Sequence, residues 1–132
     1  MGYRSDVMAV IYPDAMSDED SALKYEQLKV LMQTTFKELM EDGFGADMEW
    51  VDGKQVLKFC ITNVKWYDSY PDVQRFTAML KSFGADCDED GIEGYCTEFM
   101  RVGEDYDDVE QSSSGHNLCY YLSVNREIVC DV

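Results

Sequence analysis

Basic side chains are scarce in this 132-residue chain: eleven Lys and Arg stand against 27 Asp and Glu, a formal net charge of −16. That deficit argues against direct nucleic-acid binding, in which Lys and Arg neutralise phosphates. Histidine is scarcer still. His116 alone follows Ser112, Ser113 and Ser114 in a Ser/Gly loop. It leaves a Cys/His zinc site short of ligands. Nor does a serine run beside a histidine make a triad, which needs nucleophile, base and orienting acid held by separate elements. No apolar run approaches the roughly 20 residues of a membrane span. The opening residues show no basic region followed by an apolar one, and Asp6 stands where a myristoylation motif at Gly2 needs Ser or Thr. Neither a membrane nor a signal peptide is therefore expected. G-x-S-x-G, Walker A and G-x-G-x-x-G strings are missing, and Gly43-Phe44-Gly45 is too short to stand for one. The expectation is no cofactor and no enzyme.

Hydrophobic residues make up 45% of the chain and aromatics 13%, with nine Tyr. A disordered acidic chain would be poor in both, so this composition folds, and 132 residues suit one α+β domain, 1–132. The five cysteines, Cys60, Cys87, Cys96, Cys119 and Cys130, are odd in number and form no C-x-x-C pair. They read as small buried hydrophobes of a cytoplasmic protein.

Ser5 to Pro13 is almost continuously apolar, the pattern of a central strand. Ser17 or Asp18 then caps a helix whose Leu28, Leu31, Met32, Phe36, Leu39 and Met40 recur at helical spacing through Asp42, before Gly43 and Gly45. Asp52-Gly53 between apolar stretches predicts a two-residue hairpin joining strands near Ala46–Val51 and Gln55–Tyr67. Pro71 and Asp72 open a second helix with Val73, Phe76, Leu80 and Phe83 on one face, closed by Gly84. Further strands are expected near Ile92–Val102, Asn117–Val124 and Glu127–Val132, with GEDYDDVEQSSSGHN as one long polar loop. The order β-α-β-β-α-β plus a terminal strand predicts a ferredoxin-like antiparallel sheet with two helices on one face.

Asp86, Asp88, Asp90 and Gly91 match the start of a calcium loop, but Ile92 and Thr97 occupy later positions where the loop's pattern breaks and its bidentate Glu is missing. An acidic turn fits better. From Asp86 to Glu110, eleven carboxylates face Arg101 as the single base, a net charge of −10. Such an array is either a solvated face or an imitation of duplex DNA, which carries one charge per about 1.7 Å of its axis. A mimic would occupy the Lys/Arg groove of a nucleic-acid-binding protein. Tyr106, inside this acidic segment, is a candidate anchor, since Tyr and Trp are enriched in interface hot spots. The other aromatics, Trp66, Tyr67, Tyr70, Tyr95, Tyr120 and Tyr121, are as readily explained by packing between sheet and helices.

Three blocks go together: Gly2-Tyr3-Arg4-Ser5-Asp6-Val7, Trp66-Tyr67-Asp68-Ser69-Tyr70-Pro71-Asp72-Val73, and Arg101-Val102-Gly103-Glu104-Asp105-Tyr106-Asp107-Asp108-Val109-Glu110. They resemble a family of small proteins of bacteriophage and prophage genomes. The blocks carry no known chemistry, so the resemblance transfers no catalytic or ligand residue. What it implies is context: phages encode small acidic proteins that disable host nucleases, polymerases or defence complexes, anti-CRISPR proteins among them. The expected activity is inhibition of a basic host protein (a nuclease, polymerase or CRISPR-complex subunit) by a monomer or dimer in the bacterial cytoplasm. Asp86, Asp88, Glu89, Asp90, Glu104, Asp105, Asp107 and Asp108 would supply the charge beside Tyr106. The alternative is a small divalent-metal-binding or assembly protein with no inhibitory role.

Overall fold

The computed structural model describes residues 4–15, 17–42, 47–67, 69–83, 94–104, 108–114, 122–124 and 128–130. The elements run β1 (Ser5–Pro13), α1 (Asp18–Gln33), α2 (Lys37–Asp42), β2 (Asp47–Val51), β3 (Val56–Val64), α3 (Pro71–Lys81), β4 (Tyr95–Gly103), β5 (Val109–Ser114), β6 (Leu122–Val124) and β7 (Ile128–Cys130). The architecture is α+β, with a five-stranded antiparallel sheet in the order β2-β3-β1-β4-β5 and a two-stranded β6-β7 hairpin. The strands expected near Asn117–Val124 and Glu127–Val132 are represented by β6 and β7, which pair with each other apart from this sheet. The sheet's fifth strand is instead β5, at its edge, and a third helix, α2, adds to the two expected.

β1 lies at the centre with β3 and β4 paired to its two edges, and its side chains are buried on both faces. Val7, Ala9 and Ile11 point to one side and Val10 and Tyr12 to the other, which explains an unbroken apolar run in place of alternation. The first side holds the main core. There Leu57, Phe59, Ile61, Tyr95 and Phe99 of the sheet meet Leu28 and Met32 of α1, Leu39 of α2, and Phe76, Met79 and Leu80 of α3. Phe76 stands edge-on to Phe59 at 5.4 Å and to Trp66 at 5.7 Å. Each such buried side chain contributes about 1.5–3 kcal/mol of transfer free energy. On the second side Val10, Tyr12, Val56, Cys96 and Met100 are buried. The β6-β7 hairpin approaches both β1 and β4. Those strands already have two neighbours each in the sheet, so the hairpin lies across this second face.

The long helix expected over Asp18–Asp42 is two helices. Thr34 ends α1 with φ −118° and ψ −79°; its hydroxyl donates to the Val30 carbonyl at 2.8 Å, while the Phe36 amide reaches back to the Leu31 carbonyl at 3.1 Å. Adjacent β-branched threonines favour this local bonding over helix continuation, and the break turns Phe36 onto Phe83, 5.7 Å away. Ser17 is the N-cap, its hydroxyl accepting from the Asp20 amide at 3.2 Å. α3 begins at Pro71 as expected.

The β2-β3 connection also differs. Register pairs Val51 with Val56, leaving a four-residue loop, Asp52 to Gln55, and the left-handed residue is Gln55 at φ 59° instead of Gly53. Side chains hold that loop against α1: the Tyr25 hydroxyl donates to Asp52 at 2.7 Å and the Ser21 hydroxyl donates to Gln55. Part of the expected polar loop is strand β5, paired to β4 from Val102–Val109 to Thr97–Ser114. Its sequence lacks the apolar signal because it is an edge with a solvent-exposed face.

Candidate functional site

Of the acidic residues expected to meet a partner, the described residues include Glu104 and Asp108. Asp86, Asp88, Glu89, Asp90, Asp105, Tyr106 and Asp107 lie outside them, as does the calcium-like turn. Both described carboxylates stand at one end of the β4-β5 pair, where the Gly103 amide donates to the Asp108 carbonyl at 2.8 Å.

Arg101 organises this end. It lies opposite Glu110 in the β4-β5 register, and its Nε donates to Glu110 at 3.0 Å. Its two terminal nitrogens reach both Asp108 oxygens at 3.0 and 2.8 Å, and Nη1 also donates to Ser5 at 3.1 Å. The guanidinium fork matches a carboxylate geometrically, and charged hydrogen bonds of this kind are shorter and stronger than neutral ones. The Asp108 hydrogen bonds, then those of Glu110, raise the Arg101 pKa above its ordinary value against the opposing effect of burial. Asp108 is thus bound into the sheet, and the cluster of two carboxylates on one guanidinium keeps a single net negative charge. Glu104 accepts from the Arg4 amide at 2.9 Å and joins Arg4, Ser5, Asp6, Asn63, Val102 and Gly103 around a polar notch of about 240 Å³.

Glu98 belongs to the same acidic stretch but not to its surface. It is fully buried on the hairpin side of β4 and accepts from the Tyr12 hydroxyl at 2.8 Å. The charge count over Asp86–Glu110 is therefore not a count of one exposed face. A glutamate flanked at alternate positions by Cys96 and Met100, both on the buried side of β4, is the sequence signal for this.

Sequence reasoning missed a second feature. A groove of about 440 Å³ runs between α3 and β5, lined by Val73, Thr77, Leu80, Lys81, Phe99, Glu110 and Ser112. It exists because β5 extends the sheet past α3. Trp66 and Tyr95 are packing residues: Trp66 lies 6.0 Å from Phe99, and the buried Tyr95 donates to the Lys24 carbonyl at 2.7 Å. Tyr67 and Tyr70 pack on each other edge-on at 5.1 Å. Cys96 is buried and Cys60 half-buried.

Among the described residues no three His, Cys, Asp or Glu side chains are grouped so as to hold a metal ion, and no helix is long and apolar enough to cross a membrane. No family model, curated protein or solved structure matches the chain.

Proposed function

We propose that this chain is a phage-encoded acidic binding protein that inhibits a basic host protein of the nucleic-acid-handling or defence machinery, in the manner of an anti-CRISPR protein. The observation that carries the reading is a net charge of −16 on a chain with a well-packed core. The three blocks that resemble phage and prophage proteins supply the context. In this reading β1, α1, β2, β3, α3 and β4 form a ferredoxin-like frame, and the acidic segments are presented to the partner. Asp86, Asp88, Glu89, Asp90, Glu104, Asp105 and Asp107 carry the charge that stands in for phosphates, and Tyr106 anchors the contact. Asp108 is a positioning residue, since Arg101 holds it.

Charge attraction of this kind raises association rates and fades as salt rises. The test is capture from a bacterial lysate at low and at high salt, with the retained proteins identified by mass spectrometry and their activity assayed with added protein. Stoichiometric, salt-sensitive retention of a nuclease, polymerase or CRISPR-complex subunit whose activity falls is the expected result. An empty capture at low salt would remove the reading.

A further inference from the structure

We propose that the groove between α3 and β5 binds a short free peptide end to end: a tripeptide with apolar side chains, its ammonium at Glu110 and its carboxylate at Lys81. The site is separate from the acidic segments of the reading above and does not depend on them.

Ring contacts set the direction of α3 over the sheet. Trp66 touches Phe76 at 5.7 Å and Phe99 at 6.0 Å, whereas Phe83 lies 5.5 Å from Tyr95. As α3 advances, then, β4 is met backwards, so the helix runs antiparallel to β4 and parallel to β5. Glu110, opposite Arg101, lies by the first half of α3, and Lys81 closes the helix at the other end. Both line the groove, which therefore carries a carboxylate at one end and an ammonium at the other. From Val73 to Lys81 the helix rises about 12 Å at 1.5 Å per residue. An extended tripeptide spans about 10 Å at 3.3–3.6 Å per residue, so its two ends reach both side chains. A single α-amino acid, with both charges on one carbon, does not.

The groups between the ends suit a peptide. Val73, Leu80 and Phe99 are buried and form an apolar floor. The Thr77 hydroxyl donates to the Val73 carbonyl at 2.9 Å, which leaves its lone pairs for an incoming N–H. Ser112, across the groove, can donate or accept. Neither terminal charge is fully used within the protein. Glu110 meets Arg101 through one carboxylate oxygen, and among the described residues Lys81 has no hydrogen bond or ion pair, in a chain with 27 acids. A basic or an acidic occupant would match one end and oppose the other. A zwitterion matches both, and having no net charge it is not repelled by a molecule of charge −16. The space of about 440 Å³ falls in the range of small-molecule sites, roughly 300–1,000 Å³.

The experiment follows the backbone amide NMR signals of the full chain during titration with a free valine–leucine–valine tripeptide, its N-acetyl form and its C-terminal amide. We expect the free tripeptide to shift signals of residues 73–81 and 109–112, and each cap to weaken binding roughly fivefold or more. Glu110→Gln should remove the preference for the free form over the acetylated one, and Lys81→Met the preference over the amide, the spectra of both variants showing that they remain folded. Equal affinity of the free and capped tripeptides for the wild type overturns the proposal and requires no variant to fold. So does the absence of shifts in these segments at millimolar tripeptide. Variants that discriminate between free and capped forms as the wild type does would place the contacts elsewhere and overturn it too. None of these results bears on the acidic segments, which the lysate capture tests separately.

Discussion

Arg101 is where a single side chain decides most, because it joins β1, β4 and β5 through Ser5, Asp108 and Glu110. Replacing it with Ala leaves two carboxylates facing each other without a cation. Arg101→Ala is expected to lower the unfolding free energy by about 1.5–3 kcal/mol in urea titration, and Arg101→Lys to recover little, since an ammonium cannot make the bidentate fork. Tyr12 matters for a different reason. Without its hydroxyl, buried Glu98 loses a donor that water cannot replace, so Tyr12→Phe should cost about 1–3 kcal/mol, read as a lower urea midpoint at unchanged slope. Asp52 gives a pH signature. The Tyr25 hydrogen bond, then the Lys29 charge 3.4 Å away, hold its carboxyl below the ordinary carboxylate range. A lowered folded pKa contributes stability above the unfolded pKa of about 3.9, and that contribution is lost as pH falls through the folded value. The wild type should therefore exceed Asp52→Asn in stability by a constant margin near neutrality that shrinks below about pH 4. A margin unchanged in acid would refute the assignment.

Among the elements, Gly94 at the start of β4 tests how tightly α1 is tied to the sheet. Its φ of +92° suits glycine, its carbonyl accepts from the Asp14 amide at 2.8 Å, and an added Cβ would lie 3.0 Å from Lys24 Cε. Gly94→Ala is expected to cost about 1–3 kcal/mol and to lower the melting temperature, with Tyr95 and Lys24 the first contacts disturbed. The same region shows what was legible beforehand. β1 could be read because a strand buried on both faces is apolar throughout, and α3 because Pro71 and Asp72 announce its start. The helix break at Thr34 was not read, since the Leu31, Phe36 and Leu39 spacing fits both one helix and two; the back-bonding of Thr34 and the contact of Phe36 with Phe83 distinguish them. β5 was hidden for a physical reason too. An edge strand of Ser, Gln and Glu has the composition of a loop, and its identity comes from the ladder it makes with β4. In the candidate site, Glu104 and Asp108 were foreseen as charges, but the fork that binds Asp108 to Arg101 depends on a register no local pattern reveals. Glu98 was counted with the surface because its burial requires the β6-β7 hairpin over that face.

For the whole molecule the issue is what a net charge of −16 accomplishes. Self-repulsion at this charge opposes compaction and self-association, and the two-sided core of β1 offsets it. A surface that merely aids solubility would tolerate reversal of its charges; a surface that imitates phosphates would not. The distinction is best drawn by reversing Asp86, Asp88, Glu89, Asp90, Glu104, Asp105 and Asp107 to Lys while keeping Asp108 for Arg101, and confirming the fold from the melting temperature. The decisive measurement is the affinity of this variant and of the wild type for the captured partner across a salt series. The account predicts that the wild type loses affinity steeply as salt rises and that the variant binds at least about a hundredfold more weakly at low salt. Equal affinity and equal inhibition by the folded variant would contradict it.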